Sequence, residues 1–259
     1  MGIKVRHLTF SYQVGGKFIL DDITIDSNCR SIAIVGTSGC GKSTLLRLLC
    51  GLIKKNRNNV LEGSIYIDNI KASSLIQSNP IGFMFQEDAL LSYLNVEENV
   101  RLPLKLQKNR DYQKVVDYIE KVGLSADVKK LPRELSGGMR TRVALARTFV
   151  TKPSVLFLDE PFTGLDEYWR ATLYKELETL RMELNPFTAL VTHQIEEALM
   201  LSNHIIVLSR NGTILKDFII DKPLPRVFSK DPMDGLKSIQ IEIKELILND
   251  SDEAYRKNK

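Results

Sequence analysis

The sequence predicts an α/β fold built on a mostly parallel sheet, and three observations carry that reading. Short apolar runs, Ser31–Val35, Ile81–Phe85, Val155–Leu158 and Thr188–Thr192, alternate with stretches of helical spacing. Such alternation implies parallel strands whose crossover helices cover the sheet. Between the first run and a helical stretch opening at Leu45 lies Gly36-Thr37-Ser38-Gly39-Cys40-Gly41-Lys42-Ser43-Thr44, which fits G-x-x-x-x-G-K-[ST]. Finally, 43% hydrophobic and 26% charged content over 259 residues is globular, enough for one large α/β domain or two modest ones.

In chain order, Ile3 to Phe10 alternates apolar and polar and reads as a half-exposed strand. Gly15-Gly16 marks a turn, and Lys17–Leu20, Ile23–Ile25 and, after a polar loop at 54–59, Gly63–Asp68 read as further strands of an N-terminal antiparallel lobe. The continuous run Ile81–Phe85 reads as a strand buried on both faces. From Glu87 helical spacing takes over, and residues 87–150 read as a helical insertion. Within it, 112, 115, 116, 119 and 122 share one helix face that stops at Gly123. A helix over Glu167–Leu184, strands at Thr188–Thr192 and Ile205–Leu208, and a helix at Ile195–Leu201 follow. Asn211-Gly212 signals a hairpin into Ile214–Ile220. After Pro225 comes a short tail with one amphipathic helix (Ile239, Ile243, Leu246, Ile247) and an end, SDEAYRKNK, expected to fray. The domain reading is 1–225 for the nucleotide domain, with 87–150 inserted, and 226–259 for the tail.

Composition excludes several classes. No apolar run approaches the ~20 residues that span a bilayer, and the N-terminus lacks a signal-peptide core. The net charge of +4 permits an anionic membrane surface, but basic residues are scattered, so no nucleic-acid partner is expected. Cys29, Cys40 and Cys50 are odd in number and lack metal-type spacing, which suits a reducing cytosol. Cys40 lies inside the glycine-rich loop and reads as a small filler.

The chemistry gathers at strand ends, where open α/β sheets bind ligands. Glycines 36, 39 and 41 let the loop turn its N–H groups toward a polyphosphate, and the following helix start adds about half a positive charge. Lys42 is placed to reach the β- and γ-phosphates of ATP, and the Ser43 hydroxyl to ligate Mg²⁺. Asp159 ends the Val155 strand and would hold Mg²⁺; Glu160 is placed to polarise the attacking water. His193, after the Thr188 strand, could bond the γ-phosphate, although a lone histidine is more often structural. Gln86, after the Ile81 strand, could sense Mg²⁺ and water, or be a solvated loop amide. Ser136-Gly137-Gly138 is a second anion-binding helix start, because Ser136 is a good N-cap and two glycines otherwise weaken a helix.

In these motifs the chain resembles the ATP-binding subunit of an ABC transporter over residues 3–220. The order is that of the family: Walker A at 36–44, Q-loop Gln86, signature LSGGM at 135–139, Walker B at 155–160, D-loop Gly164-Leu165-Asp166 and switch His193. The resemblance implies a P-loop NTPase (RecA-like) core, and Tyr12 falls where the family stacks an aromatic on adenine. It also implies a head-to-tail dimer, of two copies or with a homologous ATPase subunit. ATP then lies between the Walker A of one copy and the Ser136, Gly137 and Gly138 of the other. The implied partners are integral-membrane permease subunits, whose coupling helix would sit near Gln86 and Glu87–Asn99, and a solute-binding protein acting through the permease. The implied place is the cytoplasmic face of the inner or plasma membrane. FMFQEDALLSYLNVEENVRLPL, ELSGGMR and the closing KPLPR are similar to nitrate, sulfonate and taurine importers. Met139 replaces the commoner glutamine, Gln194 stands where aspartate usually follows the histidine, and Thr163-Gly164 precedes Leu165-Asp166. The regulatory domain that some relatives append after this point is not expected. An exporter or lipid-transport ATPase, or an ABC ATPase acting on nucleic acid or ribosomes, is the alternative; relatives of the last sort usually carry two cassettes or a long coiled coil.

Overall fold

A computed structural model describes residues 2–78 and 80–257. The chain divides into two compact units, Met1–Ser78 with Phe187–Lys259, and Asn79–Pro186.

The first unit holds an antiparallel sheet in the order β2-β1-β4-β5, from β1 (Ile3–Ser11), β2 (Leu20–Ser27), β4 (Val60–Ile67) and β5 (Ile70–Lys71). β1 runs antiparallel to both β2 and β4. Lys17–Leu20 does not form the separate strand that its apolar content suggests. Residues 17–19 are not in strand conformation: Ile19 N donates to Phe10 O of β1 just ahead of β2, and Asp21 N, within β2, donates to Gly212 O. β5 and the short helix α2 (Ala72–Ser78) have no counterpart in the sequence reading. Neither is long enough to display a period.

The same unit carries β3 (Ser31–Val35), α1 (Lys42–Leu49), β8 (Phe187–Thr192), α7 (Ile195–Leu201), β9 (His204–Leu208), β10 (Ile214–Ile219) and α8 (Lys237–Lys257). β3 lies between β8 and β9 and is parallel to both, while β10 closes the edge antiparallel to β9. All residues of β3, β8 and β9 are buried, as expected of strands covered on both faces. Burying side chains such as Ile32, Ile34 and Val207 contributes roughly 1.5–3 kcal/mol each. α8 buries Ile243 and half-buries Ile239, Leu246 and Ile247, the face its spacing predicts. It stays helical to Lys257 instead of fraying from Ser251; Asn258 and Lys259 of that expectation lie outside the described residues.

The KPLPR segment is anchored by its arginine. Arg226 is fully buried. Its Nη1 donates to Leu199 O (2.5 Å) and Ser202 O (2.7 Å), and its Nε to Lys222 O (3.1 Å). A guanidinium on the last carbonyls of α7 satisfies groups the helix end leaves open and complements its dipole.

The second unit holds the parallel pair β6 (Ile81–Met84) and β7 (Val155–Asp159) and four helices. These are α3 (Val96–Leu106), α4 (Tyr112–Lys121), α5 (Gly137–Phe149) and α6 (Glu167–Leu184). α3 opens with a capping box between Asn95 and Glu98, α4 ends before Gly123 at φ +67°, and α6 is capped by Asp166. β6 is not buried on both faces: Ile81 and Phe83 are half-exposed and Phe85 is exposed. β7 is covered throughout, whereas β6 leaves one face along a surface groove, so an unbroken apolar run does not mean burial on both sides. α6 adds a buried pair invisible to apolar periodicity, Glu178 with Arg181, whose guanidinium pKa is lowered by complete desolvation.

Candidate functional site

The residues nominated from the sequence fall into two groups, one in each unit. In the first unit, parallel register aligns the ends of three strands. Val35 is level with Thr192 of β8 and with Val207 of β9, so the glycine-rich loop and His193 leave the sheet at the same edge.

Sterics explain the loop's glycines. A Cβ on Gly36 would fall 2.5 Å from Leu208 O and 2.9 Å from Cys40 Sγ, and one on Gly41 2.9 Å from Ile19 O. Gly39 (φ +80°) and Gly41 (φ +100°) occupy the region that L side chains avoid. The loop therefore curls over β3 and starts α1 at Gly41, leaving helix N–H groups with no side chain to cap them. Lys42 is buried, its Nζ donating to Gly36 O (3.0 Å) and Thr37 O (2.9 Å), which ties the cradle shut around its own cation. Ser43 and Thr44 are half-buried on the first turn, Ser38 and Gly39 are exposed, and the buried Thr37 hydroxyl has no hydrogen-bond partner among the described residues. An orphaned hydroxyl beside a glycine cradle fits a polyphosphate. Burial raises the Cys40 thiol pKa, an effect that Lys42 opposes; a buried, protonated thiol is inert, which suits the filler reading.

Tyr12 is half-exposed, packs edge-on against Phe10 (4.8 Å) and reaches Thr44 Oγ1 with its hydroxyl (3.1 Å). This contact joins the aromatic to the loop, and sequence spacing gave no sign of it. His193 is exposed at the end of β8. Its turn is organised by a buried bond, Thr192 Oγ1 donating to Glu197 Oε2 (2.6 Å), and by Gln194 N donating to Thr192 Oγ1 (3.0 Å). Gln194 thus enters the turn through its backbone, so the aspartate usual at that position is not needed to form it.

In the second unit, Met84 is level with Leu158, so Gln86 and Glu160 leave adjacent parallel strands at the same end. Asp159 is buried (1% exposed), whereas Glu160 is half-buried at φ +46°, an uncommon conformation for a side chain of this kind. Thr163 Oγ1 donates to Glu160 Oε2 (3.2 Å) and Thr163 N to Glu160 O (3.3 Å). The threonine that departs from the family pattern therefore holds the carboxylate in place.

Ser136 caps α5, its Oγ accepting from Met139 N (3.3 Å). A Cβ on Gly137 would meet nothing closer than 3.9 Å, and one on Gly138 would touch Trp169 at 3.4 Å. Beneath Trp169 lies Arg142, 5.2 Å from the ring centroid and paired with Glu176 (2.8 Å). Burial raises the Glu176 carboxyl to about 6 despite that arginine. Asp166 is occupied in capping α6 through Trp169 N (2.9 Å).

Gln86 is exposed, and the chain after it is held by α5. Arg140 Nε donates to Asp88 Oδ2 (2.7 Å), and Arg147 donates to Asp88 O and Ala89 O (both 2.7 Å). Burial lowers the Arg147 pKa, with Asp88 acting against it. The seven-residue spacing of these arginines, two helical turns on one face, is the signal that could have found them. Further along, the fully buried Asn99 donates to Leu91 O, Leu94 O and Asn95 O and accepts from Leu91 N, which fixes the turn 91–95.

Residues 21–163, more than half of the chain, match the family model described as ABC transporter. The chain belongs to the ABC transporter family. It is 39% identical over 224 residues to an aliphatic sulfonates import ATP-binding protein SsuB of Bacillus cereus, with 86% of each chain covered. The protein of the same name from Bacillus anthracis is 42% identical over 201 residues, 77% of each. Among solved structures, it matches a dimeric post-hydrolysis state of the ATP-binding cassette MJ0796 bound to ADP and Pi. That match has a TM-score of 0.72 and 29% identity and covers 85% of this chain and 100% of that one. The chain is thus the ATP-binding component of an ABC transporter and an ATPase. Among the described residues, no helix is long and apolar enough to cross a membrane.

Proposed function

We propose that this chain binds MgATP between two copies of itself, or itself and a homologous ATPase subunit, and that closure of this head-to-tail dimer powers permease subunits importing small organic sulfonates. The observation that carries the ATP half is the cradle Gly36–Thr44 around buried Lys42. Likeness to the two sulfonate-import ATP-binding proteins supports the solute, with taurine and nitrate as neighbouring small-anion candidates.

Each residue then has a task. Gly36, Thr37, Ser38, Gly39, Cys40, Gly41 and Thr44 offer backbone N–H groups to the phosphates, Lys42 neutralises them, and Tyr12 stacks on the base. The residues that would hold Mg²⁺ are Ser43, Asp159 and Gln86, whose hydroxyl, carboxylate and amide oxygens are each of the kind that the ion takes alongside phosphate oxygens and water. When bound, the ion neutralises charge on the β- and γ-phosphates. Glu160 accepts a proton from the attacking water, and Thr163 keeps its carboxylate aimed. His193 donates to the γ-phosphate, while Ser136, Gly137 and Gly138 approach it from the other copy. Asp166, through its cap, sets the start of α6 at the dimer seam.

In the second unit a groove of about 330 Å³, lined by Phe83, Phe85, Leu102, Leu106 and Arg147, is where the permease docks at the cytoplasmic face. Its arginine is the one bonded to the carbonyls after Gln86, so docking and ATP sensing share a side chain. A solute-binding protein acts through the permease. Residues 1–225 serve as the ATP-binding domain, with 87–150 as its helical subdomain and 226–259 as the tail.

The test is co-purification with the permease, reconstitution into vesicles and uptake of labelled alkanesulfonate, taurine and nitrate. ATP-dependent sulfonate uptake supports the reading; efflux, or ATP turnover with uptake of none of the three, overturns the solute and direction.

A further inference from the structure

Away from the phosphate loop, the first unit encloses a cavity of about 420 Å³ between its antiparallel sheet and the last turn of α1. That volume is within the usual range for small-molecule sites. Leu48 from α1 and Leu61 and Ile65 from β4 make an aliphatic interior. Lys54, Lys55 and Lys71 stand exposed around the mouth, no carboxylate lines it, and none of the three has an ion-pair partner among the described residues. The walls are pinned. A Cβ on Gly51 would fall 2.3 Å from Ala72 O and one on Gly63 2.4 Å from Arg6 O, so backbone is already in contact at both ends and the space between is preformed.

We propose that this cavity is a binding site for an amphipathic organic monoanion, a short alkyl chain ending in a sulfonate or carboxylate. The chain removes the aliphatic interior from water, and the head lies among three ammonium groups that otherwise repel one another. Lysines, as point charges, suit a small monoanion without demanding the planar bidentate geometry that arginine selects. The sign is a property of this mouth, because another cavity of the same unit is ringed by Asp21, Asp22, Asp26 and Asp217. An occupant would touch the last turn of the helix whose first turn carries Lys42. The site stands on its own residues, independently of the transported solute.

Titration calorimetry of the full chain with 1-octanesulfonate tests it. Saturable binding of one anion per chain is expected, weakened at least tenfold in K54Q/K55Q/K71Q and unchanged within twofold in K42A. Ser73→Trp, at the mouth, should block binding with the lysines intact, while circular dichroism reports that each variant is folded. Methanesulfonate, the head without the tail, and octylammonium, the tail with the wrong charge, should bind at least tenfold more weakly. Equal binding by either, or loss of binding in K42A alone, overturns the proposal. So does an absence of saturable binding, including the case in which anionic vesicles retain the chain through the three lysines.

Discussion

Helices α1 and α5 both begin beside glycines, one in each unit, and the glycines are there for different reasons. At α1 the fold itself requires them: side chains on Gly36 or Gly41 would strike the carbonyls of Leu208 or Ile19. At α5 the fold has room, since a Cβ on Gly137 meets nothing within 3.9 Å and Ser136 already caps the helix. Glycine in a helix costs up to about 1 kcal/mol relative to alanine, so Gly137 weakens its own unit without a local return. The first loop is therefore constrained by its own fold, while the second is open, and under the proposed function that opening is where the other copy's nucleotide enters a shared site.

The comparison breaks most readily at Lys42. Lys42→Ala should weaken ATP binding on the order of 100-fold, since a charge-assisted bond contributes ~1.5–3 kcal/mol; unchanged affinity in a binding titration would remove the cradle's role. Nearly as large is Glu160→Gln, expected to bind ATP, hydrolyse it ~10²–10⁴-fold more slowly and accumulate as a dimer by light scattering. A variant that stays monomeric with ATP counts against the shared site. The sharpest contrast lies between the two glycines. Gly137→Ala should leave ATP binding intact and unfold at equal or slightly higher denaturant, by up to about 1 kcal/mol, while ATP hydrolysis falls at least tenfold. Gly36→Ala should instead destabilise the subunit by ~1–3 kcal/mol through overpacking, read in the same denaturant series. If both behave alike, the two helix starts are not different in kind.

The smallest effect concerns pH. Glu176, paired with the Arg142 that lies against the Trp169 ring, has a folded pKa of about 6 against an ordinary 4.5. Between those values the folded state holds more protons than the unfolded one, so this group's contribution to stability falls as pH rises from about 4.5 to 6. Glu176→Gln should flatten that part of the stability profile and leave ATP binding unchanged. A profile identical to the parent protein's would place the carboxyl in an ordinary environment.

Much of this was legible because the relevant signals are local. Gly36–Thr44 names its own backbone requirements, apolar runs name β3, β7 and β8, and Asn211-Gly212 names the hairpin between β9 and β10. What escaped involves polar atoms meeting across long sequence separations. Arg147 reaches the carbonyls of Asp88 and Ala89, Arg226 those of Leu199 and Ser202, and Tyr12 the hydroxyl of Thr44. In isolation none of these residues announces its contact; only the seven-residue spacing of Arg140 and Arg147 on one helix face offered a hint. The run Ile81–Phe85 misled for the opposite reason, since apolar content reports what could be buried and not what covers it.

The sequence by itself determined the phosphate loop, its lysine, the acidic strand end Asp159-Glu160 and the order of motifs that places the chain among ABC transporters. Those are matters of covalent neighbourhood, in which a few adjacent residues fix backbone conformation and chemistry. Tertiary structure decided which glycines the fold itself needs, that Thr163 holds Glu160, and that the stretch after Gln86 hangs from the signature helix by two arginines. It also decided that three scattered lysines surround one aliphatic cavity. Apart from the three-residue step from Thr163 to Glu160, which depends on the local turn, packing sets these, because whether a side chain is excluded, oriented or left open depends on atoms tens of residues away that only folding brings within reach.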